Sequence, residues 1–268
     1  MEMSFLWEYS NKQKLQGEEK MMLCQVGKIS DISKYHLKWL GNRKFDGVRC
    51  LAICNNGFVK LKGRNETDYA SKFPEIVDDL KEFSGCFDGE ITCDTFEHTS
   101  SRVHTENKLK SGLLKDKYPA IFHVFDIIEN KPLIDRVQIL METGLKSKKS
   151  IRLVKYTPDL INLWEVAKKE NWEGIIIKNP ISSYSNSRSW NWIKIKKEIT
   201  KDILVDSYSV NPAGIRVEGE GLACQITGSN SVLVKNKIDE TGSCLIEVKG
   251  LEITENNKIR QIVFKDIK

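Results

Sequence analysis

Features that mark secreted and membrane-bound proteins are missing from this sequence. No run of eighteen apolar residues occurs in its 268 residues, and no apolar stretch of signal-peptide length stands at its start. The seven cysteines are odd in number and form no C-x-x-C pair, which argues against a disulfide framework and against a four-thiolate zinc site. We therefore expect a protein of a cytosol-like compartment that is neither secreted nor inserted in a membrane.

Two common motifs for metal and nucleotide chemistry are also missing. The four histidines show no ligand spacing such as H-E-x-x-H, so a zinc hydrolase is not indicated. The phosphate-binding loop G-x-x-x-x-G-K-[ST] does not occur, which excludes a P-loop ATPase. The composition that remains is that of a soluble globular protein, with 40% hydrophobic and 29% charged residues and a net charge of +5. This small positive excess is a mild indication of an anionic partner.

The order of local patterns predicts an α+β protein with two domains. Through residues 1–200, short strand-like runs are interleaved with helical patterns, of which the clearest are FPEIVDDLKEF, DRVQILMETGL and DLINLWEVAKKE. Beyond residue 200 only strand-like runs remain, among them DILVDSYSV and SVLVK, and they are broken by Gly, Asn and Pro. We therefore predict a first domain at 1–200 and a small all-β barrel of about five strands at 201–268.

Five short motifs follow one another along the first domain. The first is a Lys-x-Asp-Gly tetrapeptide that begins at Lys44, and alone it is typical of a solvated turn in which Asp46 and Gly47 make the bend. The four that follow are FDGE, FHVFD, WEGIIIK and WIKIK, each expected at the end of a strand. Their presence in this fixed order favours a chemical role for Lys44 over the surface turn.

On these motifs the sequence resembles the covalent nucleotidyltransferases, and within them the minimal ATP-dependent DNA ligases, from about Met22 onward. The resemblance implies a nucleotidyltransferase (adenylation) domain of antiparallel sheets with flanking helices, followed by an OB-fold barrel. It also implies an enzyme that seals 5′-phosphate, 3′-hydroxyl nicks in duplex DNA, through a lysyl-AMP and an adenylated DNA, during replication, repair or recombination. ATP and Mg²⁺ (or Mn²⁺) would be its cofactors. We expect a monomer in the cytoplasm of a bacterium or of a virus-infected host.

Two alternatives stay open at this point. One is an RNA ligase or an mRNA capping-type nucleotidyltransferase, because capping enzymes share the Lys-x-Asp-Gly and Asp-Gly-Glu elements. Those enzymes usually have Asp-Gly where this chain has Glu173-Gly174, which favours the ligases. The other alternative is a non-catalytic nucleic-acid-binding protein in which Lys44 is structural.

Lys44 is the predicted nucleophile, which attacks the α-phosphorus of ATP, expels pyrophosphate and holds AMP through a P–N bond. A free lysine has a pKa of about 10.4 and is almost fully protonated at neutral pH, so nearby cations must lower its pKa. Lys194 and Lys196 alternate with apolar Ile193 and Ile195, which predicts both ammonium groups on one strand face. We expect the pair to act catalytically on Lys44 and to hold the α-phosphate.

Carboxylates are the predicted metal ligands, because Mg²⁺ prefers oxygen and keeps several of its waters. Glu173 is our first choice, since it opens an apolar strand, and Glu90 and Asp46 are the next. The resemblance implies that Asp46 acts catalytically in the later DNA steps and that Glu90 lies near the AMP ribose or a metal. Asp88 and Gly89 are expected to shape the turn before Glu90 rather than to act chemically.

Adenine needs a flat apolar slot with an aromatic ring on at least one face. Phe125 resembles the family's stacking aromatic, and the resemblance places Ile176 on the opposite face of the base. Strict strand alternation would put Ile176 and Glu173 on opposite sides, so this assignment requires a bulge or kink at Gly174. The other interpretation of Phe125 is a buried core aromatic.

Basic residues are the predicted contacts to the phosphates of nicked double-stranded DNA. Arg49 and Arg64 match family positions that touch the nick phosphate and the flanking backbone, and we also count both among the nucleotide-binding residues. Arg188 lies in the Ser-rich stretch SSYSNSRSW, and Lys197 and Lys201 continue the basic run that follows it. Each arginine has the alternative of pairing with a surface carboxylate.

Overall fold

The computed structural model describes residues 20–106, 108–251, 253 and 258–268, and the chain divides after Ile195 into two compact units. Each unit encloses a hydrophobic core of its own. The mixed α+β class predicted from the sequence is confirmed, because sheets and helices occur together. Within these described ranges, no helix has the length and apolar character needed to cross a membrane.

The first unit is built from short strands joined by helices and loops. Its strands are β1 (Leu23–Val26), β2 (Leu40–Lys44), β3 (Val48–Asn55), β4 (Phe58–Lys62), β5 (Gly85–Thr92), β6 (Ile121–Ile127), β7 (Ile151–Leu153), β8 (Gly174–Lys178) and β9 (Arg188–Lys196). Its helices are α1 (Ser30–Tyr35), α2 (Pro74–Leu80), α3 (Phe96–His104), α4 (Lys108–Lys117), α5 (Leu133–Glu142) and α6 (Leu160–Lys169).

A five-stranded sheet with the order β4-β3-β5-β6-β7 carries one apolar and one polar face. Ala52 and Phe87 are paired across β3 and β5 and are buried in the core. On the other face, Arg49 pairs with Glu90 and Glu90 pairs with His123. Because paired residues of antiparallel strands point to the same side, these three polar side chains form one row across β3, β5 and β6.

A four-stranded sheet with the order β1-β9-β8-β2 forms the second layer of this unit. Ile175 and Ile177 of β8 are buried against Trp164 of helix α6. Since side chains alternate along a strand, Ile176 and Lys178 point to the opposite side, away from the helix. That side of the sheet carries the lysine motif at the end of β2.

In the residues that the structure describes, the second unit contains six strands and a helix. They are β10 (Ile199–Val205), β11 (Ser207–Asn211), β12 (Gly214–Gly219), β13 (Leu222–Ile226), α7 (Ser229–Thr241), β14 (Cys244–Gly250) and β15 (Val263–Ile267). They form two three-stranded sheets, β10-β14-β15 and β11-β12-β13, with antiparallel ladders. In the part of the unit that the structure describes, no hydrogen-bonded ladder closes these sheets into a barrel.

The prediction that residues 201–268 are all β is wrong, because Ser229–Thr241 is a helix. The β-branched valines of SVLVK favour a strand locally, but the buried residues are Ser231, Val234 and Ile238. Their spacing of three and four is helical, and it lets one face of α7 join the core of the unit. Gly242 ends the helix with a φ of 81°, a left-handed conformation that glycine adopts without strain.

Candidate active site

Lys44 and Glu173 form the centre of the site in the first unit. Lys44 is the last residue of β2, and its ammonium donates a hydrogen bond to Oε2 of Glu173. Only 19% of the Lys44 side chain and 5% of the Glu173 side chain are exposed. Gly47 allows the chain to turn back immediately, because a Cβ there would lie 2.1 Å from the carbonyl oxygen of Ile91. An amine and a carboxylate are thus held together in an enclosed place.

Gly174 is the residue at which the adenine-slot prediction required a bulge or kink. Gly174 lies opposite Lys44 in the β2–β8 ladder and has a φ of 150°. Ile176 lies opposite Asn42, two residues before Lys44, and is half-buried. Glu173 contacts Lys44, and Ile176 lies on the same face of the ladder as Asn42 and Lys44, so the two residues are near the same lysine.

Glu90 belongs to the polar row of the five-stranded sheet. Burial raises the pKa of the Glu90 carboxyl to about 7, although the positive charges of Arg49, Lys44 and Arg64 act in the opposite direction. The negative charge of Glu173 also contributes to the rise. Glu90 is therefore close enough to both members of the Lys44–Glu173 pair to interact with them electrostatically.

The three carboxylates predicted to hold a metal do not form a ligand cluster by themselves. Asp46 lies in the turn after Lys44, where its charge favours the charged form of Arg43. Within the described part of the chain, no three His, Cys, Asp or Glu side chains are grouped so that they could hold an ion. Glu173 and Glu90 can supply at most part of a coordination shell, which is the usual situation for Mg²⁺.

Arg49 lies in a buried ion pair rather than on a DNA-facing surface. Its Nε and Nη2 donate to the two carboxylate oxygens of Asp88, each at 2.6 Å, and Nη2 also donates to the carbonyl of Met22 at 3.2 Å. Burial lowers the pKa of Arg49, but the carboxylate of Asp88 outweighs this and the net shift is upward. In this conformation the guanidinium is paired with Asp88 and Met22, and the contact of Arg49 with the nucleotide or a nick phosphate stays a prediction.

The prediction that Asp88 and Gly89 shape a turn before Glu90 is wrong. Asp88 is fully buried in the middle of β5. Besides the Arg49 fork, it accepts a hydrogen bond from the hydroxyl of Tyr184 at 2.6 Å. Gly89 lies inside the same strand, where a Cβ would be 2.4 Å from the ring of Phe122. Asp88 and Gly89 are therefore determinants of packing beside the site.

Phe125 is buried, as in the alternative interpretation of a core aromatic, and its stacking on adenine stays a prediction. Only 7% of the residue is exposed, and its ring packs edge-on against Trp192, with a centroid distance of 6.0 Å. Cations cover the ring as well, since the guanidinium carbon of Arg49 lies 4.5 Å and Nζ of Lys178 lies 4.4 Å from its centroid. An adenine would have to displace one of these neighbours to stack on Phe125.

The two lysines of WIKIK fall into different units. Ile193 and Ile195 are buried under helix α6, and Lys194 lies on the alternate face of β9, half-buried. Lys196 opens the second unit, where its Nζ donates to Oε1 of Gln261 at 3.1 Å. Only Lys194 can therefore be described as part of the first unit.

The remaining predicted DNA contacts are more accessible than Arg49. Arg64 is exposed in the loop after β4, and Arg188 is exposed at the start of β9, where it donates to the carbonyl of Cys24. In the second unit, Lys197 is half-buried and Lys201 pairs with Glu220 at 3.5 Å.

Comparison with protein families decides where this arrangement belongs. The family described as "ATP dependent DNA ligase domain" matches residues 21–196, which is more than half of the chain. The chain belongs to the ATP-dependent DNA ligase family. The match includes Lys44, Glu90 and Glu173 and ends at the last residue of β9.

Individual ligases show the same relationship at low identity. The SPbeta prophage-derived DNA ligase-like protein LigB of Bacillus subtilis is 28% identical over 181 residues, which cover 62% of this chain and 64% of that protein. The DNA ligase of Pyrobaculum arsenaticum is 27% identical over 183 residues, which cover 60% of this chain and 31% of that protein. The matched region thus spans less than two thirds of either relative.

Solved ligase structures share the fold over most of the chain. A structure from an analysis of the Lig E DNA ligases superposes with a TM-score of 0.70 at 17% identity, over 92% of this chain and 99% of that one. This likeness concerns the fold alone.

Lys178 is a buried residue of this ligase-family chain that the sequence analysis missed. It is 1% exposed, donates to the hydroxyl of Tyr156 at 2.8 Å and lies 4.0 Å from Oδ2 of Asp126. Its Nζ is 3.7 Å from the Trp192 ring centroid. Burial lowers the pKa of Lys178 to about 8, against the charge of Asp126. The only signal in the sequence is a lysine that ends the apolar run EGIIIK.

Asn42 is a second residue that the analysis missed in the ligase site. It is 2% exposed, and its Nδ2 donates to the carbonyl of Arg43 at 2.9 Å. Its Oδ1 is buried without a hydrogen-bond partner among the residues described. Buried polar atoms are normally paired, so this oxygen is an available acceptor close to Lys44.

Proposed function

We propose that this protein is an ATP-dependent DNA ligase that seals 5′-phosphate, 3′-hydroxyl nicks in duplex DNA. The observation that carries the proposal is the enclosed contact between Lys44 and Glu173, next to Glu90, in a chain of the DNA ligase family. A non-catalytic binding protein has no need to bury a lysine against a carboxylate beside a second carboxylate. Such clusters are typical of sites that perform chemistry.

In the first step, Lys44 attacks ATP. The lone pair of Nζ forms a bond to the α-phosphorus, the bond from that phosphorus to the bridging oxygen breaks, and pyrophosphate leaves with the electron pair. Nζ loses a proton, and Oε2 of Glu173 is the acceptor in contact with it. We propose that Lys194 neutralises charge on the α-phosphate, as its place in WIKIK suggests.

In the later steps, AMP passes to DNA and is then released. An oxygen of the 5′-phosphate attacks the AMP phosphorus, the P–N bond breaks, and Lys44 recovers its proton. The 3′-hydroxyl then attacks the 5′-phosphate, loses its proton and expels AMP. We propose that Asp46 acts in these steps and that Arg64, Arg188, Lys197 and Lys201 contact the DNA backbone. A role for Arg49 at the nick requires that it first leave Asp88.

The adenine would lie on the face of β2 and β8. Ile176 supplies an apolar surface there, and the unpaired Oδ1 of Asn42 can accept from the exocyclic amine of adenine. This gives a preference for adenine over guanine, which carries a carbonyl at the corresponding position. Phe125 can contribute stacking only if Arg49 or Lys178 moves from its ring.

Mg²⁺ fits the donors available in this site. Magnesium is commonly held by one or two carboxylates together with substrate phosphates and water, and Glu173 and Glu90 offer two carboxylates that interact electrostatically. When bound, the ion polarises the phosphoryl group and neutralises developing charge. We propose these two glutamates as its protein ligands, with Asp46 as a further candidate.

We propose that the second unit is an OB-fold domain that contains a helix. Strands β10 and β11 are separated only by Asp206, so together they act as one bent strand that belongs to both sheets. At the other ends of the sheets, β13 and β15 lie near one another. Five strands arranged as a partly open barrel are the mark of this fold. The boundary predicted near residue 200 lies close to the division after Ile195. We also propose that the protein is a cytoplasmic monomer.

Labelling with radioactive nucleotide tests the proposed function. The wild-type protein should become labelled from α-labelled ATP and not from GTP, whereas a capping-type enzyme takes GTP and a binding protein takes neither. Lys44→Ala should lose labelling and ligation of a plain nick, but should still seal a nick that already carries a 5′-adenylate. Lys38→Ala, which changes an exposed lysine, is the matched control and should behave as wild type. Labelling of Lys44→Ala at the wild-type level would contradict the assignment.

A further inference from the structure

Four side chains form a continuous stack that includes both sequence neighbours of Lys44. The guanidinium of Arg43 lies between two rings. Its central carbon is 5.1 Å from the ring centroid of Trp172 and 5.1 Å from that of Phe45. The Phe45 ring in turn stacks on the imidazole of His123, with a centroid distance of 4.0 Å and an interplanar angle of 18°. We call these four residues the nucleophile stack.

The nucleophile stack joins the three segments that carry the charged groups of the site. Arg43 and Phe45 are the two neighbours of Lys44 in sequence, and Trp172 directly precedes Glu173. His123 lies on β6 in the other sheet, opposite Glu90 in the ladder. A single line of contacts therefore connects the segments that carry the nucleophile, its carboxylate partner and Glu90.

His123 is itself fixed at the end of the stack. Its Nε2 lies 3.0 Å from the hydroxyl of Thr92 on the neighbouring strand β5. Burial lowers the pKa of His123 to about 4, and the positive charges of Arg43 and Arg152 act in the same direction. The ring is therefore neutral near neutral pH, so it does not repel the guanidinium on the other side of Phe45.

Of the nucleophile stack, Trp172 packs against a hydrophobic core of the first unit, whereas the other two rings do not. Phe45 and His123 are half-buried, and neither is part of the apolar clusters formed by the described residues. Phe45 instead lies in the turn between β2 and β3, whose bend requires Gly47. The stack is thus a local support for this turn and for the strand end that carries Lys44.

We propose that the nucleophile stack positions Lys44 for attack on ATP, with Phe45 and His123 as positioning residues that do not touch the reacting atoms. Rates of displacement at phosphorus depend steeply on the alignment of the attacking atom, and a misplacement of about 1 Å can cost about a hundredfold. A lysine has four rotatable side-chain bonds, so its amine is directed chiefly by the backbone that carries it and by the contacts it makes. The stack holds that backbone and the Glu173 segment together.

The inference rests on the proposed function, and four variants test it. His123→Ala removes the ring that supports Phe45, whereas His123→Phe keeps a flat ring and loses only the hydrogen bond with Thr92. Phe45→Leu keeps apolar volume without a planar ring, and provides the test if His123→Ala does not fold. The matched control is His98→Ala, which removes a similar stacked pair, His98 with Tyr118, at a centroid distance of 3.6 Å on helix α3.

Three quantities are measured for each variant: the rate of lysyl-AMP formation at saturating ATP, the KM for ATP, and the rate of sealing of a pre-adenylated nick. His123→Ala and Phe45→Leu should slow lysyl-AMP formation by about ten- to a hundredfold. The KM for ATP should change little, because the stack does not contact the nucleotide. Sealing should be much less affected, because Lys44 is not the nucleophile of that step. His123→Phe should recover most of the lost rate, and His98→Ala should match wild type.

Several outcomes overturn the inference. Equal slowing of both reactions by His123→Ala, with a lowered Tm, means that the ring serves folding alone. The same conclusion follows if His98→Ala is as slow as His123→Ala, or if His123→Phe is no faster than His123→Ala. Wild-type rates in Phe45→Leu also exclude a positioning role. Failure of the proposed function is distinguishable, because the wild-type protein would then take no label from ATP, and both proposals would fall.

Discussion

Replacement of Lys178 by methionine isolates the energetic effect of a buried charge. Methionine keeps a long unbranched side chain among Phe125, Trp192 and Tyr156 but carries no ammonium. Burial lowers the pKa of Lys178 from 10.5 to about 8, with Asp126 acting in the opposite direction. At 1.36 kcal/mol for each pKa unit, this difference disfavours the charged form in the folded state by about 3 kcal/mol.

The sign of the pH dependence follows from the protons bound in each state. Below about pH 8 the Lys178 amine is protonated in both the folded and the unfolded wild type, so the buried charge destabilises the folded state by its full amount. Between about pH 8 and pH 10.5 the unfolded state holds more protons, so the free energy of unfolding rises with pH. Lys178→Met has no such proton. The difference in stability should therefore shift by about 3 kcal/mol in favour of the wild type across this window.

The balance near neutral pH includes the contacts that methionine cannot make. The ammonium lies 3.7 Å from the Trp192 ring centroid, a cation–π contact worth roughly 0.5–2 kcal/mol. Its hydrogen bond to Tyr156 contributes about 1 kcal/mol. Asp126 keeps its two-point pairing with Arg136, so no carboxylate is left alone. Set against about 3 kcal/mol, these losses leave Lys178→Met as stable as the wild type, or up to ~1.5 kcal/mol more stable, at about pH 7.

Urea unfolding, followed by tryptophan fluorescence, measures this difference because Trp192 lies beside the substituted position. Cysteines and tyrosines that titrate in the same window are common to both proteins and cancel in the comparison. Lys38→Met, at an exposed site, should give a difference from wild type that is independent of pH. If Lys178→Met gives an equally constant difference, the charge on Lys178 is not perturbed by burial and the reasoning fails.

Two further predictions concern Asp88 and DNA binding. Asp88→Asn leaves the Arg49 guanidinium buried without its carboxylate. In urea titrations this should lower the free energy of unfolding by about 3–5 kcal/mol. A loss below ~1 kcal/mol would contradict a stabilising role for the buried ion pair. Affinity for nicked DNA, measured by fluorescence anisotropy, should fall linearly with salt on logarithmic axes, by a slope of about −0.9 for each phosphate neutralised. Arg188→Ala should reduce that slope by about one phosphate, and an unchanged slope argues against contact at Arg188.

Sequence patterns predicted the elements whose periodicity is local. The helices expected in DRVQILMETGL and DLINLWEVAKKE correspond to α5 and α6, because their apolar spacing matches the face that they bury. The sequence also indicated an unusual backbone conformation at Gly174, where φ is 150°, because that expectation depends only on neighbouring residues. Helix α7 was missed because its valines have strand propensity, and only packing against the core of the second unit decides for a helix.

The parts of the site that escaped prediction depend on contacts between distant segments. Arg49 of β3 forms a buried ion pair with Asp88 of β5, and neither sequence motif indicates this pairing. Lys178 is surrounded by rings from β6, β9 and the loop that contains Tyr156, three segments far apart in sequence. Phe125 is buried by these same neighbours, so its exposure could not be derived from its own strand. Burial of polar groups is a tertiary property.

Peptide mapping by mass spectrometry after incubation with ATP and Mg²⁺ tests the central claim most directly. The account predicts one AMP, attached through an acid-labile P–N bond to the peptide that contains Lys44, and its loss when nicked DNA is added. Incubation with GTP should leave that peptide unmodified. AMP on a different lysine, or an unmodified Lys44 peptide after incubation with ATP, would contradict the assignment of Lys44 as the nucleophile of a DNA ligase.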